Sequence, residues 1–428
     1  MSGFSFVQGL RCVGCGRDYA IETGRHTCPS CGPLLGTLDL TYNYRDLAAA
    51  LVPAALRARQ DATIWRYHEL LPIRDPLAVP RVPVGLTPLY LFDGDLDFPV
   101  PRALWLKDDT RHPSGSAKDR ATAVGIANAR EVGAKGIAAA STGNAASSLA
   151  LFAAREALPC LIFVPAAAPA AKLAQIRAHG ATCLAVDGNY DQAFELCAEV
   201  SRRHGYYNRS TAVNPYLGEG KKTIALEIWE QLGFRIPDVV VVPVGDGCIL
   251  GGVHKGFRDL REAGLVQGLP RLIGIQADGS AALARAWQAG KDRCDPVEAR
   301  TVADSLAVSM PRDQMKALRA VRETNGAFLT VSDDEILRAL SLLAARCGIF
   351  VEPAAAAALE GLRRGLEEGA ISPAEEVTIL LTGHGLKDIE AACRASAWNE
   401  PLPIAPEVGA VEAALEARAR ELGTARLP

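Results

Sequence analysis

The chain has 428 residues, of which 49% are apolar and 22% charged, and its formal net charge at pH 7 is −3. This length and apolar content indicate a soluble globular protein with two or three domains. A charge so close to balance argues against nucleic acid or an anionic membrane as a bulk electrostatic partner. The longest apolar runs are strand-sized, so no segment is expected to span a bilayer. Eleven cysteines without an expected secretory signal argue for a reducing cytoplasm and against a disulfide framework.

Residues 1–40 contain two pairs of cysteines. Cys12, Cys15, Cys28 and Cys31 follow the spacing C-x2-C-x12-C-x2-C, with a glycine directly after each pair. In a reducing compartment this spacing is typical of a structural zinc ribbon. Four thiolates complete the tetrahedral coordination of Zn²⁺, so the predicted metal has a structural role and no catalytic one. A ribbon that has lost its metal is the alternative.

The next part of the chain is predicted to be a helical arm and a proline-rich linker, followed by an α/β fold. Short apolar runs alternate with alanine-rich segments of helical spacing, and the runs are GIAAA (136–140), CLIFVP (160–165), CLAV (183–186), DVVVVP (238–243), LIGIQ (272–276) and VTILLT (377–382). Strands that are apolar on both faces indicate parallel sheets covered on both sides. Because about 300 residues exceed one such sheet, we expect two lobes with a cleft. The expected boundaries are 41–95 for the arm and linker, 96–135 with 216–400 for the large lobe, 136–215 for the small lobe and 401–428 for a C-terminal tail.

The stretch HPSGSAKDR places a lysine at the start of a predicted buried helix. Ser116 is expected to cap this helix, and Asp119 three residues later would complete an approximate capping box. Lys118 would then occupy the second helical position, where the helix dipole opposes its charge and lowers the pKa of its amine. Such an amine is a good nucleophile. From position alone, a lysine whose ammonium reaches solvent is the ordinary alternative.

Two polar loops follow predicted strands, at the sheet edge where ligands bind in parallel α/β folds. In the first, Gly245 and Gly247 let the backbone N–H groups of residues 245–249 converge on an anion at a helix start. The turn matches neither a P-loop nor the dinucleotide fingerprint, and the side chain of Asp246 is expected to point away from the anion. In the second, LLTGHGLKD, Thr382 offers a hydroxyl to a ring nitrogen, or serves as an ordinary turn hydroxyl.

The segment STGNAASS follows another predicted strand and collects hydroxyls, an amide and helix-start N–H groups. Ser141 and Thr142 suit a carboxylate, and Asn144 can donate to a phenolate-like oxygen. An ordinary helix N-cap would explain one of these polar residues but not all three.

Together these pieces resemble the threonine synthase family of fold-type II pyridoxal-phosphate enzymes. The matching motifs are PSGSAKDR, STGNAASS, VPVGDGCILGG, NPYLGEGKKT, EPAAAAAL and LLTGHGLKD, which lie between about residues 85 and 395. The cysteine-rich N-terminus is similar to the leader of many threonine synthases. The resemblance implies a tryptophan synthase β-like fold, pyridoxal 5′-phosphate as cofactor, a small amino-acid substrate and a homodimer. The cysteine usage, charge and apolar runs described above indicate a cytoplasmic protein without nucleic-acid or membrane partners.

The resemblance also implies roles for individual residues. Lys118 would bond covalently to pyridoxal phosphate and act as general base once released. Asn144 would bond the cofactor's phenolic oxygen, and Thr382 would face its ring nitrogen, where a neutral hydroxyl favours elimination and replacement over transamination. The cofactor's phosphate would be held by Gly245, Asp246, Gly247, Cys248 and Ile249. The substrate would be held by Ser141, Thr142, Gly143 and Ala145.

The sequence departs from the family at the site expected for the phosphate of O-phosphohomoserine. Leu217 stands where the family usually has arginine, and a phosphate without that arginine loses a contact worth roughly 1.5–3 kcal/mol. Lys221 or Arg312 could supply the missing charge. Other changes remove an aromatic ring or polar groups, and they are Ala117, Ala145, Thr211 and Ala212.

Three functions follow from these observations. The first is a threonine synthase that converts O-phosphohomoserine to threonine and phosphate with a re-sited phosphate clamp. The second is a related enzyme that performs β-elimination, or β- or γ-replacement, on an amino acid with another leaving group. The third is a pseudo-enzyme or regulatory protein that uses its zinc ribbon to bind a partner or nucleic acid. The third predicts a damaged cofactor site, whereas Lys118, Asn144, the glycine turn and Thr382 are all present.

Overall fold

The computed structural model describes residues 5–210, 214–396 and 401–421. Its N-terminal unit is an antiparallel sheet of β1 (Val7–Cys12), β2 (Asp18–Tyr19) and β3 (Leu38–Tyr42), in the order β2-β1-β3. The short helix α1 (Gly32–Leu35) lies between β2 and β3 in the chain. The predicted arm follows as two helices, α2 (Tyr44–Ala50) and α3 (Pro53–Ala58). Pro53 favours the start of the second helix because its fixed φ suits a first helical position.

The remaining strands form two further sheets. In chain order they are β4 (Leu89–Phe92), β5 (Ala103–Asp108), β6 (Gly136–Ala140), β7 (Cys160–Pro165), β8 (Thr182–Val186), β9 (Tyr206–Asn208), β10 (Val239–Pro243), β11 (Arg271–Ala277), β12 (Ala327–Val331) and β13 (Glu376–Leu381). The larger sheet has the order β12-β11-β10-β13-β5-β4 and is parallel except for its edge strand β4. The smaller sheet, β8-β7-β6-β9, is parallel throughout.

Helices accompany these two sheets, and most of them pack on one sheet face or the other. They are α4 (Lys118–Glu131), α5 (Asn144–Arg155), α6 (Ala170–Ala178), α7 (Tyr190–His204), α8 (Pro215–Gln231), α9 (Cys248–Glu262), α10 (Ala282–Gln288), α11 (Gln314–Glu323), α12 (Asp333–Cys347), α13 (Pro353–Glu367), α14 (Ile389–Ala395) and α15 (Val408–Glu421). In β10, Val240 and Val242 enter one core while Val239 and Val241 enter the other. This alternation explains why the strand is apolar on both faces. In the described ranges no helix is long and apolar enough to cross a membrane.

The predicted α/β class with parallel sheets is confirmed, and every apolar run named above forms a strand. In the two parallel sheets, four strands were not predicted: β4, β5, β9 and β12. One of them, β4, lies within the stretch assigned to the arm and linker but pairs with the larger sheet. The strand β5 was not predicted because one of its buried residues, Lys107, is charged. Its ammonium lies 2.6 Å from the carboxylate of Glu227 on α8.

A cluster of buried charges joins α4 to β5 and α8. The guanidinium of Arg120 donates to Asp109 at 2.7 and 2.8 Å and to Glu227 at 2.5 and 2.8 Å. The helices approach closely because residue 220 is glycine. A Cβ there would lie 2.1 Å from the carbonyl oxygen of Arg120. The start of α4 is therefore fixed by the buried charges around Arg120 and by the close contact with α8 at Gly220.

Candidate active site

The start of α4 is held against the end of the central strand β13. The N–H of Ala117 donates to the carbonyl of Thr382 at 2.9 Å, and the N–H of His384 donates to the carbonyl of Gly115 at 2.9 Å. Lys118, the first residue of α4, and Thr382 line the same cavity. No hydrogen bond of the Thr382 hydroxyl to another described residue is found, so it is free to bind a group inside the cavity.

The predicted capping of this helix is wrong. The N-cap residue is Ala117, which has helical φ and ψ and no capping side chain. Ser116 instead pairs with Gly383 across the junction with β13. The Asp119 carboxylate accepts hydrogen bonds from the N–H and the hydroxyl of Ser114, at 2.8 and 2.5 Å. Tertiary pairing has thus replaced the local capping box, and Lys118 is at the first helical position instead of the second.

The environment of Lys118 disfavours its charged form. Burial lowers the pKa of its amine, and the ammonium of Lys221 lowers it further. The carboxylate of Glu352 acts in the opposite direction without reversing the shift. A lysine with a lowered pKa has a larger neutral fraction near pH 7, which is the form that attacks a carbonyl carbon.

The glycine turn after β10 lines the same cavity. Gly247 has φ +91°, and a Cβ on it would lie 2.7 Å from the Cβ of Ala317, so only glycine fits this position. The N–H groups of residues 245–249 donate to no other described residue. They are therefore available to an anion at the start of α9. The carboxylate of Asp246 accepts from the N–H of Arg312 at 3.2 Å, outside the turn, as expected.

Asn144 begins α5 and is bound to an acid that the sequence analysis did not single out. Its amide donates to the two carboxylate oxygens of Glu352 at 3.0 and 2.9 Å. Glu352 is buried directly before α13, and burial raises the pKa of its carboxyl. Glu352 is the first residue of the motif EPAAAAAL. Its sequence context gave no sign of a functional role, because an acid before a helix that begins with proline is typical of an ordinary helix start. Only the tertiary contact reveals its place beside Lys118.

A second cavity adjoins the first and shares the walls Ser305, Glu352 and Ala354. Thr142, Gly143 and Asn144 line it. The N–H groups of Thr142, Asn144 and Ala145 donate to no other described residue, so they can receive a carboxylate.

The remaining predicted substrate residues are placed differently. The hydroxyl of Ser141 accepts from the N–H of Gly143 at 3.3 Å and does not line the cavity. The side chain of Ala145 is buried away from it. Thr211 and Ala212 lie outside the described residues.

Two lysines of this second cavity were also missed. The ammonium of Lys387 donates to Gln175 at 2.6 Å and to the hydroxyl of Ser147 at 3.1 Å. Lys172 forms an ion pair of 2.7 Å with Asp304 and so joins α6 of the smaller sheet's layer to the larger one. Lys387 belongs to the motif LLTGHGLKD, where its distance of five residues from Thr382 gave no sign that it faces the same cleft.

The three residues considered for a phosphate clamp lie in different surroundings. Leu217 is buried on α8 and packs against Gly125 of α4. Lys221, one turn later on α8, lines the cavity of Lys118. The guanidinium of Arg312 instead lies 3.2 Å from Asp191 and stacks over the ring of Phe194.

The four N-terminal cysteines come together as predicted. Their Sγ atoms all lie within 4.8 Å of one another, and those of Cys15 and Cys28 are 3.8 Å apart. Tetrahedral zinc with bonds of about 2.3 Å to sulfur requires sulfur atoms about 3.8 Å apart. The donor set and its spacing therefore fit Zn²⁺.

The first cavity also fits pyridoxal phosphate in its chemistry. It offers an amine with a lowered pKa, a set of unpaired N–H groups at a helix start and a free hydroxyl, which are the groups that the aldehyde, phosphate and ring nitrogen would require. Asn144 adjoins the cavity through its hydrogen bonds to Glu352.

Comparison with known proteins agrees with this geometry. A family model described as "Pyridoxal-phosphate dependent enzyme" matches residues 82–383. The chain is 37% identical to a threonine synthase of Methanocaldococcus jannaschii, over 92% of this chain and 96% of the relative. It is 35% identical to a threonine synthase of Methanosarcina acetivorans, over 96% of this chain and 99% of the relative.

Solved structures share the fold. An L-serine ammonia-lyase from Rhizomucor miehei superposes with a TM-score of 0.62 and 23% identity, over 73% of this chain and 98% of that one. The processed form of threonine deaminase isoform 2 from Solanum lycopersicum superposes with a TM-score of 0.59 and 21% identity, over 73% of this chain and 89% of that one. The predicted fold and family are confirmed. The chain belongs to the pyridoxal-phosphate-dependent enzymes, and within them to the threonine synthase family.

Proposed function

We propose that this protein catalyses an elimination and replacement reaction on an amino acid, with pyridoxal 5′-phosphate bonded to Lys118. The observation that carries the proposal is the shared cavity of Lys118, the glycine turn and Thr382, with Glu352 linking it to Asn144. Each group matches a different part of the cofactor. The family match and the full-length threonine synthase relatives support the same reaction class.

The cofactor, when bound, supplies an electron sink for the α-carbon of an amino acid. Lys118 would hold the cofactor in the resting enzyme and, once an amino acid has displaced it, take up the α-proton at its Nζ. Its lowered pKa favours the neutral amine that both steps need. The hydroxyl of Thr382 carries no charge, so it would not hold a proton on the ring nitrogen as a carboxylate would. This arrangement favours elimination and replacement over transamination.

The second cavity would bind the amino-acid substrate. The free N–H groups of Thr142, Asn144 and Ala145 would receive its carboxylate, much as a helix start receives an anion. Lys387 adds a positive charge to the same cleft. These contacts would orient the substrate so that its α-proton faces Lys118.

The first candidate reaction is the conversion of O-phosphohomoserine to threonine and phosphate. It is supported by threonine synthase relatives that match more than nine-tenths of this chain. A second candidate, elimination or replacement with another leaving group, is favoured by Leu217. This leucine is buried against α4 where the family usually has an arginine.

One assay separates these candidates. The purified protein with added cofactor is incubated with O-phosphohomoserine, and threonine and phosphate are measured. Parallel reactions with serine and threonine are followed for 2-oxo acids. Release of both products in equal amounts supports the first candidate, and 2-oxo acid alone supports the second. If turnover of O-phosphohomoserine is absent, a folded Leu217→Arg variant that gains it would assign the change to this residue. No turnover of any amino acid would contradict the proposal.

We further propose that the N-terminal cysteines bind one structural Zn²⁺ and that the enzyme is a cytoplasmic homodimer. The spacing of the four sulfurs supports the metal. Metal analysis tests this point, with Cys28→Ser as the variant that should lose the zinc. Sedimentation equilibrium of the purified protein tests the dimer.

A further inference from the structure

Lys221 is a buried lysine whose charge is not paired within the described part of the chain. Its side chain is 3% exposed. No carboxylate oxygen of the described residues lies within 4.0 Å of its ammonium, and no hydrogen bond from it is found there. Burying an ammonium costs several kcal/mol unless an anion or a set of acceptors compensates. Its position therefore calls for an anionic partner that the described residues do not supply.

The backbone fixes Lys221 beside the first turn of α9. Its Cβ lies 2.6 Å from where a Cβ on Gly252 would be, so α8 and α9 are in close contact at this point. Lys221 lines the cavity of Lys118 together with the whole glycine turn and Thr382. It also lines a small adjoining cavity with Cys248, the first residue of α9. Its ammonium is thus close to the unpaired N–H groups at that helix start.

Two acids lie near the turn and make the surroundings less favourable to an anion. The carboxylate of Asp246 is part of the turn, although it points to the N–H of Arg312. Asp313 shares the small cavity with Lys221, and its Oδ1 is buried without a hydrogen bond among the described residues. A phosphate placed at the turn would meet this negative charge unless a cation balanced it.

We propose that Lys221 binds the phosphate group of the cofactor, as a cationic ligand added to the N–H groups of the glycine turn. The inference rests on the proposed function, because it assumes that pyridoxal phosphate occupies this cavity. A phosphate bound there would pair with the ammonium of Lys221, and this ammonium would balance the negative charge of the two nearby acids. This contact also means that Lys221 is committed to the cofactor and does not replace the family's arginine toward a substrate phosphate.

The chain offers a matched control in Arg312. Its backbone also touches the turn, but its guanidinium is engaged by Asp191 and the ring of Phe194. Removing its charge leaves the predicted phosphate contact in place. Arg312→Gln should therefore have the cofactor affinity of the unchanged protein, whereas Lys221→Gln should not.

The test compares two ligands that differ only in the phosphate. Apoprotein is titrated with pyridoxal 5′-phosphate and with pyridoxal, and the dissociation constants are taken from the visible absorbance of the bound form. Lys221→Gln should raise the dissociation constant of pyridoxal phosphate by about 10- to 100-fold, the range for one charge-assisted hydrogen bond. At a pH where the amine of Lys118 is neutral in both proteins, it should change the dissociation constant of pyridoxal less than about threefold. Lys221→Arg should restore part of the difference, and circular dichroism checks that each variant is folded.

Other results would overturn the inference. Equal weakening of both ligands would show that Lys221 supports the cavity without contacting phosphate, for instance by balancing Asp313. Unchanged affinity for both, with a raised KM for a phosphorylated substrate, would assign Lys221 to the substrate instead. If the unchanged protein itself binds no pyridoxal phosphate, the proposed function fails. Binding by the unchanged protein with no effect of Lys221→Gln rejects only this inference.

Discussion

The amide nitrogen of Asn144 lies 3.0 and 2.9 Å from the two carboxylate oxygens of Glu352. The oxygens of one carboxylate are too close together to engage both hydrogens of an amide separately. One N–H therefore serves both oxygens, and the other remains for a group in the cavity. The acid thus fixes the orientation of the amide, and the second N–H would be offered to the proposed cofactor.

Replacing Glu352 should therefore impair the reaction without removing the cofactor. Glu352→Ala frees the amide to rotate and should lower kcat by about 10- to 100-fold, with a shift in the visible absorbance of the bound cofactor. Glu352→Gln retains one acceptor and should have a smaller effect. Glu368→Gln, an exposed change at the end of α13, is the control. Unchanged spectra and kcat in Glu352→Ala would exclude this positioning role.

The lowered pKa of Lys118 predicts how cofactor attachment depends on pH. Only the neutral amine attacks the aldehyde, so the rate at which apoprotein combines with pyridoxal phosphate should rise with pH. The midpoint should lie below that of an ordinary lysine, about 10.4. Because the Lys221 ammonium lowers the pKa of Lys118, Lys221→Gln should move the midpoint upwards. Rapid-mixing absorbance over a pH series measures both, and a midpoint at the ordinary value would contradict this description.

The buried cluster of Arg120, Asp109 and Glu227 predicts a large loss of stability when one partner is removed. Arg120→Gln leaves Asp109 buried without its guanidinium and Glu227 with Lys107 as its remaining cation, and it should cost about 3–5 kcal/mol in the free energy of unfolding. Urea unfolding followed by circular dichroism measures this. Arg203→Gln, on an exposed ion pair of α7, should cost less than about 1 kcal/mol. Equal effects of the two changes would show that the cluster does not hold the start of α4.

The same cluster predicts the direction of acid denaturation. Arg120 and Lys107 lower the pKa of Glu227 to about 2, below its value in the unfolded chain of about 4.3. A carboxyl whose pKa is lowered by folding contributes stability that is present above its unfolded pKa. That contribution is lost as the pH falls from about 4.3 through 2. The free energy of unfolding should decline across this window, and stability independent of pH there would contradict the assignment.

The proposed zinc site predicts an effect on stability more than on chemistry. Asp39 of β3 pairs with Arg258 of α9 at 2.8 Å and with Lys316 of α11 at 3.0 Å. These buried contacts join the ribbon to the helix that begins at the glycine turn. Removal of zinc with a chelator should therefore lower the melting temperature by several degrees while the affinity for cofactor changes little. Metal-free protein with an unchanged melting temperature would argue against a structural metal.

The sequence predicted those features that local pattern determines. Apolar runs such as that of β10 are visible because both faces of the strand are buried, and the cysteine spacing matches the pattern of a tetrahedral metal site. The start of α4 was misjudged because Ser116 pairs with β13 instead of capping its own helix. The partnership of Asn144 and Glu352 joins residues 208 positions apart, and no local pattern encodes such a contact.

The proposed attachment of the cofactor to Lys118 is tested most directly by locating the cofactor on the chain. Protein loaded with pyridoxal phosphate is reduced with borohydride, which fixes the cofactor to its lysine, and the digested peptides are analysed by mass spectrometry. We predict one modified residue, Lys118, and loss of both the modification and the amino-acid turnover in Lys118→Ala, with the exposed change Lys135→Ala as control. A modification on another lysine, or none on the loaded protein, would contradict the account.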